Sequence, residues 1–294
     1  MKKLTYLGFD SNRNPLILTN IFPEMNLEIL VFSFCGIKTL EENVFKNLLK
    51  LRILLLEGNN LTVIPATLKY LPNLYQLELG HNLISEIEKN VFLPNPKLSV
   101  IVLNNNPKLK FIGDCSFCGL PVLEWVRLSS CHQLSYIHEN AFGAISTGKS
   151  PNFELFAINE CNISVLSENL LDWKNMETLD IGGNPFACNC SMAWLFADLL
   201  SDSSIYDKKI KRRYQGHKYI LGCFPPLDMA HKHFFKPLNI TEIMEPCKDI
   251  NSSTLPFWWI FIIAFGFIST IGIYVYRRQL NSMFASIFNA RFYK

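Results

Sequence analysis

The sequence predicts a repeat solenoid of the α/β repeat class, with one short strand in each repeat, followed by a single transmembrane helix. Three observations carry that expectation. A nine-residue apolar template recurs eight times at a near-constant period, a run of twenty uncharged residues lies near the C-terminus, and apolar residues make up 49% of the 294. That apolar share supports a substantial core and excludes a disordered chain. The net charge of +3 hides an asymmetry. Arg277, Arg278, Arg291 and Lys294 fall in the last eighteen residues with no acid, so the other 24 basic and 25 acidic residues leave the body near neutral. A nucleic-acid-binding body would show a basic face.

The template L-x-x-L-x-L-x-x-N/C begins at Leu4, Leu27, Leu51, Leu74, Leu98, Leu123, Phe153 and Met176, at spacings of 23, 24, 23, 24, 25, 30 and 23 residues. Typical copies are LRILLLEGN from Leu51 and LYQLELGHN from Leu74. A second apolar pair and a Phe follow, as in ISEIEKNVF ending at Phe92 and LSYIHENAF ending at Phe142. This is the pattern of a leucine-rich repeat solenoid of about eight repeats over residues 4–187. In each x-L-x-L-x strand the leucines, such as Leu54 and Leu56, point inward, and the residues between them face a concave surface. One repeat cannot bury its own leucines, but stacked repeats bury one another's. The Asn slot lies where the chain leaves the strand, and its amide both donates and accepts for buried backbone. Asn12, Asn59, Asn82, Asn106 and Asn184 fill it, and Cys35, Cys131 and Cys161 replace it. Phe45, Phe92, Phe117 and Phe142 are expected to stack as a spine toward the convex side. The longest spacing carries ISTGKSP, Ile145–Pro151, as a protruding loop.

An open solenoid end needs a cover. After the eighth repeat comes NPFACNCSMAWL, Asn184–Leu195, and then Cys223 and Cys247. The residues alone allow disulfides or a zinc site, and an exported chain meets an oxidising compartment where disulfides are expected. The C-x-C, the Trp four residues on and the two later cysteines closely resemble the C-terminal flanking cap of extracellular leucine-rich repeat proteins. With NNPKLKFIG, LSYIHENAF and the CFPP at Cys223, the chain is similar to neuronal-type leucine-rich repeat proteins and Toll-like receptor ectodomains over about residues 4–250. The resemblance implies bonds Cys188–Cys223 and Cys190–Cys247 in a cap over 188–247, with Trp194 and Leu195 on a helix covering the last repeat. It also implies a single-pass cell-surface protein. Cys115 and Cys118 (DCSFC) fall on the descending part of repeat five, as a local disulfide or two packed thiols; one CxxC says little for redox chemistry or metal.

Past a short linker, 248–256, the stretch Phe257–Tyr276 reads FWWIFIIAFGFISTIGIYVY. As a helix it is about 30 Å long, the thickness of a bilayer core. Trp258, Trp259, Tyr274 and Tyr276 mark its ends as interfacial aromatics, and Arg277 and Arg278 place the C-terminus in the cytoplasm by the positive-inside rule. The expected location is the plasma membrane, with the N-terminal body outside. The tail, 277–294, carries Leu280, Phe284, Ile287 and Phe288 at helical spacing between basic residues, either a short helix under membrane lipids or a disordered stub. It is too short for an intracellular signalling domain. At the other end MKKLTYLGFD has no apolar signal core, so an upstream segment is expected to be missing. Leu4, Leu7 and Phe9 would then form a raw edge.

No GxSxG, P-loop, HExxH or kinase glycine loop is present, so neither an enzyme nor a cofactor is expected. His231 and His233 read as surface histidines. Sequons place glycans at Asn60, Asn162, Asn239 and Asn251, while Asn189, inside the C-x-C, is expected to stay bare. The chain reads as a cell-surface receptor or adhesion protein that binds an extracellular protein ligand and can form homo- or heterodimers, with no nucleic-acid partner. The other reading is a co-receptor or decoy related to Toll-like receptors and lacking an intracellular signalling domain. The concave slots expected to bind are Ile29, Val31, Ile53, Leu55, Gln76, Glu78, His81, Val100, Val102, Trp125, Arg127 and Leu155. Apolar anchors around a polar centre suit a protein ligand, and Trp125 with Arg127 joins two hot-spot residue types. Mutual cover across neighbouring strands is the competing reading of the same side chains.

Overall fold

A computed structural model of the chain describes residues 3–9, 11, 18, 21–143, 153–173, 176–187, 189–195 and 223–224. The chain divides into two compact units, Met1–Met244 and Glu245–Lys294, and every described residue belongs to the first. Eight three-residue strands form one parallel sheet in chain order: β1 (Tyr6–Gly8), β2 (Ile29–Val31), β3 (Ile53–Leu55), β4 (Gln76–Glu78), β5 (Val100–Val102), β7 (Trp125–Arg127), β9 (Leu155–Ala157) and β10 (Thr178–Asp180). Two short parallel pairs accompany it, β6 (Phe111–Ile112) with β8 (Tyr136–Ile137) and β11 (Phe186–Ala187) with β12 (Cys223–Phe224).

The register repeats without a slip. Leu30, Leu54, Leu77, Ile101, Val126, Phe156 and Leu179 are the central strand residues, paired side by side and buried. A slip of one residue would turn this whole apolar row to solvent, so the pattern itself fixes the register. The described return segments are turns with one 3-10 helix, Ala66–Tyr70, so the α part of the expected class is reduced to tight turns. A coil of 23 to 25 residues that must also supply a strand leaves little length for a multi-turn helix.

The Asn slots behave as a hydrogen-bonded ladder. Asn59 Oδ1 accepts from the N–H of Ile37 at 2.9 Å, and its Nδ2 donates to the carbonyls of Phe32 and Leu56 at 2.7 and 2.8 Å. Asn82, Asn106 and Asn184 repeat the scheme, accepting from Leu61, Ile84 and Ile163. In the Cys slots the thiol donates only: Cys131 Sγ to Leu103 O at 3.3 Å and Cys161 Sγ to Leu128 O at 3.2 Å. The length of the turn in the preceding repeat explains the choice. Repeats that reach the next inward residue two positions past their slot (Ile37, Leu61, Ile84, Ile163) present an N–H that needs an acceptor, and an Asn follows in the next repeat. The turns from Asn106 to Leu109 and from Cys131 to Leu134 are one residue longer and close on themselves, Leu109 N to Asn106 O and Leu134 N to Cys131 O. Only a donor is then required of the next slot, and a thiol supplies one.

Burial pushes the Cys131 thiol up to about 11 and the Cys161 thiol to about 12. Unfolded thiols ionise near 8.5, so the folded state holds these protons more tightly. Their contribution is fully present below pH 8.5 and is lost as pH rises toward the folded values, at about 1.4 kcal/mol per pH unit for each thiol. Urea midpoints compared at pH 8 and 10 are expected to fall more for the native sequence than for a Cys131→Ala/Cys161→Ala variant.

The expected aromatic spine is present in part. Phe92 stacks on Phe117 at 5.6 Å and Phe117 on Phe142 at 4.9 Å, and the column continues through Phe156 and Trp173 to Trp194. Phe45 is separate and packs on Phe22. In repeat three the spine position is Leu68, inside the 3-10 helix, which breaks the column. At the first repeat Leu4 and Phe9, inward slots by the template, are 41% and 39% exposed, whereas Leu51 and Leu56 two repeats on are fully buried.

Near the last repeat Leu195 is buried, Trp194 donates to Leu166 O, and both follow a short 3-10 turn, Cys190–Met192. Cys190 is disulfide-bonded, and β12 sets Cys223 beside Phe186. Asn12, loop 145–151, Cys188, His231, His233, Asn239, Cys247, Asn251, linker 248–256, span 257–276 and tail 277–294 lie outside the described residues. Among the described residues no helix is long and apolar enough to cross a membrane.

Candidate ligand-binding face

The strand residues that alternate with the inward ones fall into two straight rows on the open face of the sheet. Ile29, Ile53, Gln76, Val100, Trp125 and Leu155 are register partners in one row. Val31, Leu55, Glu78, Val102, Arg127 and Ala157 make the other. Most are half-buried and Trp125 is 37% exposed, but Val31 and Leu155 are only 7% and 5% exposed and offer little area. Mutual cover therefore holds at those two positions and at Ala157, which is 6% exposed, and the remaining apolar side chains keep a wet edge.

The eleven strand positions are thus brought together. His81 is not on a strand. It occupies the turn after β4 with φ +52°, in a left-handed row that runs Ser11, Phe34, Gly58, His81, Asn105, Ser130, Glu160 and Gly183. From Ser11 to Glu160 each N–H in this row bonds a carbonyl of the next repeat, as His81 N does to Asn104 O at 2.8 Å. Only two of the eight are glycine. Gly58 is required for a further reason: a Cβ there would meet the Phe34 ring at 2.2 Å.

The polar centre is internally linked. Gln76 Nε2 donates to Glu78 Oε1 at 2.7 Å, and His81 Nε2 lies 3.1 Å from Asn105 Nδ2 and 3.8 Å from Glu57 Oε1. In repeats six and seven the Arg127 guanidinium sits over the Trp125 ring at 5.6 Å, and the indole Nε1 donates to Glu154 Oε2 at 2.9 Å. The indole is thereby held across the next repeat, and its orientation is fixed before any ligand arrives. Sequence reasoning missed Glu57, Asn105 and Glu154. Glu154 could have been found from its place directly before the strand, one repeat beyond Trp125.

Asn60 and Asn162 are exposed, as an attached glycan requires. Asn189 instead caps its 3-10 turn, accepting from Ser191 N at 3.1 Å. Cys115 and Cys118 form a local disulfide on the return side. No group of three or more His, Cys, Asp or Glu among the described residues could hold a metal ion.

The family model described as leucine rich repeat matches residues 25–84 and 72–132, which contain β2 to β5 and β7. Residues 25–132 are built of leucine-rich repeats. Among solved structures, this chain is similar to one in the Toll–Spatzle complex of Drosophila, at 18% identity and a TM-score of 0.45, covering 66% of this chain and 36% of that one. It is also similar to a chain in the TLR13–ssRNA13 complex, at 20% identity and a TM-score of 0.45, covering 63% and 29%. The chain spans about a third of the length of these two structures.

Proposed function

We propose that the chain is a cell-surface receptor or adhesion protein that binds an extracellular protein ligand through the open face of its sheet. The observation that carries this reading is the composition of that face. Ile29, Ile53, Leu55, Val100 and Val102 retain partial exposure in aligned rows, where a merely solvated face would alternate to polar residues. They flank Gln76, Glu78 and His81, and Trp125 stands ready as a rigid anchor. Placement at the cell surface is supported by the uncharged stretch Phe257–Tyr276 and the Arg277–Arg278 flank. The disulfide at Cys190 and the β11–β12 pair support a C-terminal cap with bonds Cys188–Cys223 and Cys190–Cys247.

A photo-crosslinking residue at position 53 or 100 of the full chain, displayed on its native cells, is expected to trap a protein partner; one at Val63, exposed on the return side, is not. Trp125→Ala should lower the adduct yield about 30-fold, the equivalent of roughly 2 kcal/mol. Adducts formed at position 63 alone, or untouched by both Trp125→Ala and Arg127→Glu, would move the site elsewhere. Topology has its own check. The full chain should shift in mobility on glycosidase treatment, and Asn60→Gln and Asn162→Gln should each remove one step; a chain that never shifts contradicts the extracellular placement.

A further inference from the structure

We propose that the open face selects a cationic protein ligand, one whose lysines and arginines meet a ring of carboxylates around the apolar anchors. The inference rests on the open face being the binding surface, and names the chemistry of what binds there.

Charge on the described residues is partitioned. Three consecutive repeats place a carboxylate directly before the strand, Glu124, Glu154 and Glu177. Glu57 and Glu78 stand in the middle of the face, and Glu160 and Asp180 border the same last repeats. With Glu28 the face and its rims carry eight acids against two bases, Arg52 and Arg127, and Arg127 is over the Trp125 ring. The rest of the described surface is balanced, with nine acids and nine lysines. None of the nine described lysines lies on a strand of the eight-stranded sheet or directly before one, and Lys69 pairs with Glu42 and Lys89 with Asp114.

This arrangement has a physical cost in the free protein. Equivalent positions on neighbouring strands are about 4.8 Å apart, and like charges set side by side there repel. A basic partner relieves that repulsion. It is also steered to the face by that negative field. The apolar rows then supply what charge alone lacks: area that becomes dry on contact, with Trp125 already oriented by Glu154. A polyanion is disfavoured by the same field.

The test uses the full chain in nonionic detergent at low salt, with decalysine and decaglutamate as probes. Decalysine is expected to bind and decaglutamate not to bind. The variant Glu124→Gln/Glu154→Gln/Glu177→Gln, which keeps one acceptor oxygen at each position, should weaken decalysine about tenfold. The control Glu41→Gln/Glu86→Gln/Glu139→Gln, on the return side, should stay within about twofold of the native chain. Equal losses in both variants, or equal binding of the two probes, would overturn the proposal. So would salt-sensitive self-association of the chain through this face, which would assign the face to a second copy. A crosslinked partner lost in Trp125→Ala but fully retained in the face triple variant overturns the charge preference and leaves the face assignment standing. Face-dependent decalysine binding with no crosslinked partner at position 53 or 100 overturns the receptor reading instead.

Discussion

Replacing Asn82 by Ala is expected to lower stability by about 3–4 kcal/mol, more than any single surface change. The side chain is 1% exposed, accepts from Leu61 N at 3.0 Å and donates to Leu56 O and Leu79 O at 2.9 and 3.1 Å. Those carbonyls keep a second donor, Asn59 to Leu56 and Asn106 to Leu79. The Leu61 N–H keeps nothing, and a buried orphan costs about 1–3 kcal/mol before the lost bonds and the cavity are added. Asn82→Cys should fall between, since a thiol restores a donor to the carbonyls and leaves the N–H bare. Cys131→Ala should cost only about 1 kcal/mol, because Leu103 O still accepts from Asn106 Nδ2 at 2.9 Å. Urea midpoints of the three variants are the measurement. An Asn82→Cys protein as stable as the native one would refute the link between turn length and slot residue.

Phe117→Ala is expected to cost about 3–5 kcal/mol, plus part of the roughly 0.5–1.5 kcal/mol carried by each ring pair. Phe117 is fully buried and lies between Phe92 and Phe142, with interplanar angles of 9° and 8°. Nothing nearby can collapse into the gap without breaking one of those stacks. Phe117→Leu should cost under half as much, since Leu68 fills the same position of repeat three and is itself buried. A solenoid is stabilised by neighbour contacts, so the Ala variant should also split a cooperative melt into two steps. A single transition displaced by under about 1 kcal/mol would show that the spine is not a shared core.

Much of this was legible in the chain itself. The inward positions Leu54, Leu77, Ile101 and Val126 were readable because only apolar side chains can sit between stacked coils, which imposes a period that survives without an alignment. The same period gave the register, and with it the two rows of the candidate face. The part of the spine from Phe92 to Phe142 followed from the spacing alone, whereas its continuation through Phe156, Trp173 and Trp194 uses residues that do not share that spacing.

Other features could be decided only by the folded chain, and they share one physical cause: each depends on a partner about one repeat away. Asn or Cys in a slot answers the turn of the preceding coil. The left-handed row is hard to see in a sequence that puts Phe34, His81 and Glu160 where glycine is the usual occupant, since a hydrogen bond donated to a carbonyl of the next repeat holds each backbone there. Val31 and Leu155 look like binding residues by position, but on the folded sheet they are almost wholly covered. The indole of Trp125 is aimed by Glu154, 29 residues on, and the carboxylates gather on one face because stacking aligns template positions that the chain keeps far apart. Sequence determined what each repeat must bury; stacking determined which of the remaining side chains meet, because lateral neighbours in a solenoid are separated by a full coil of chain.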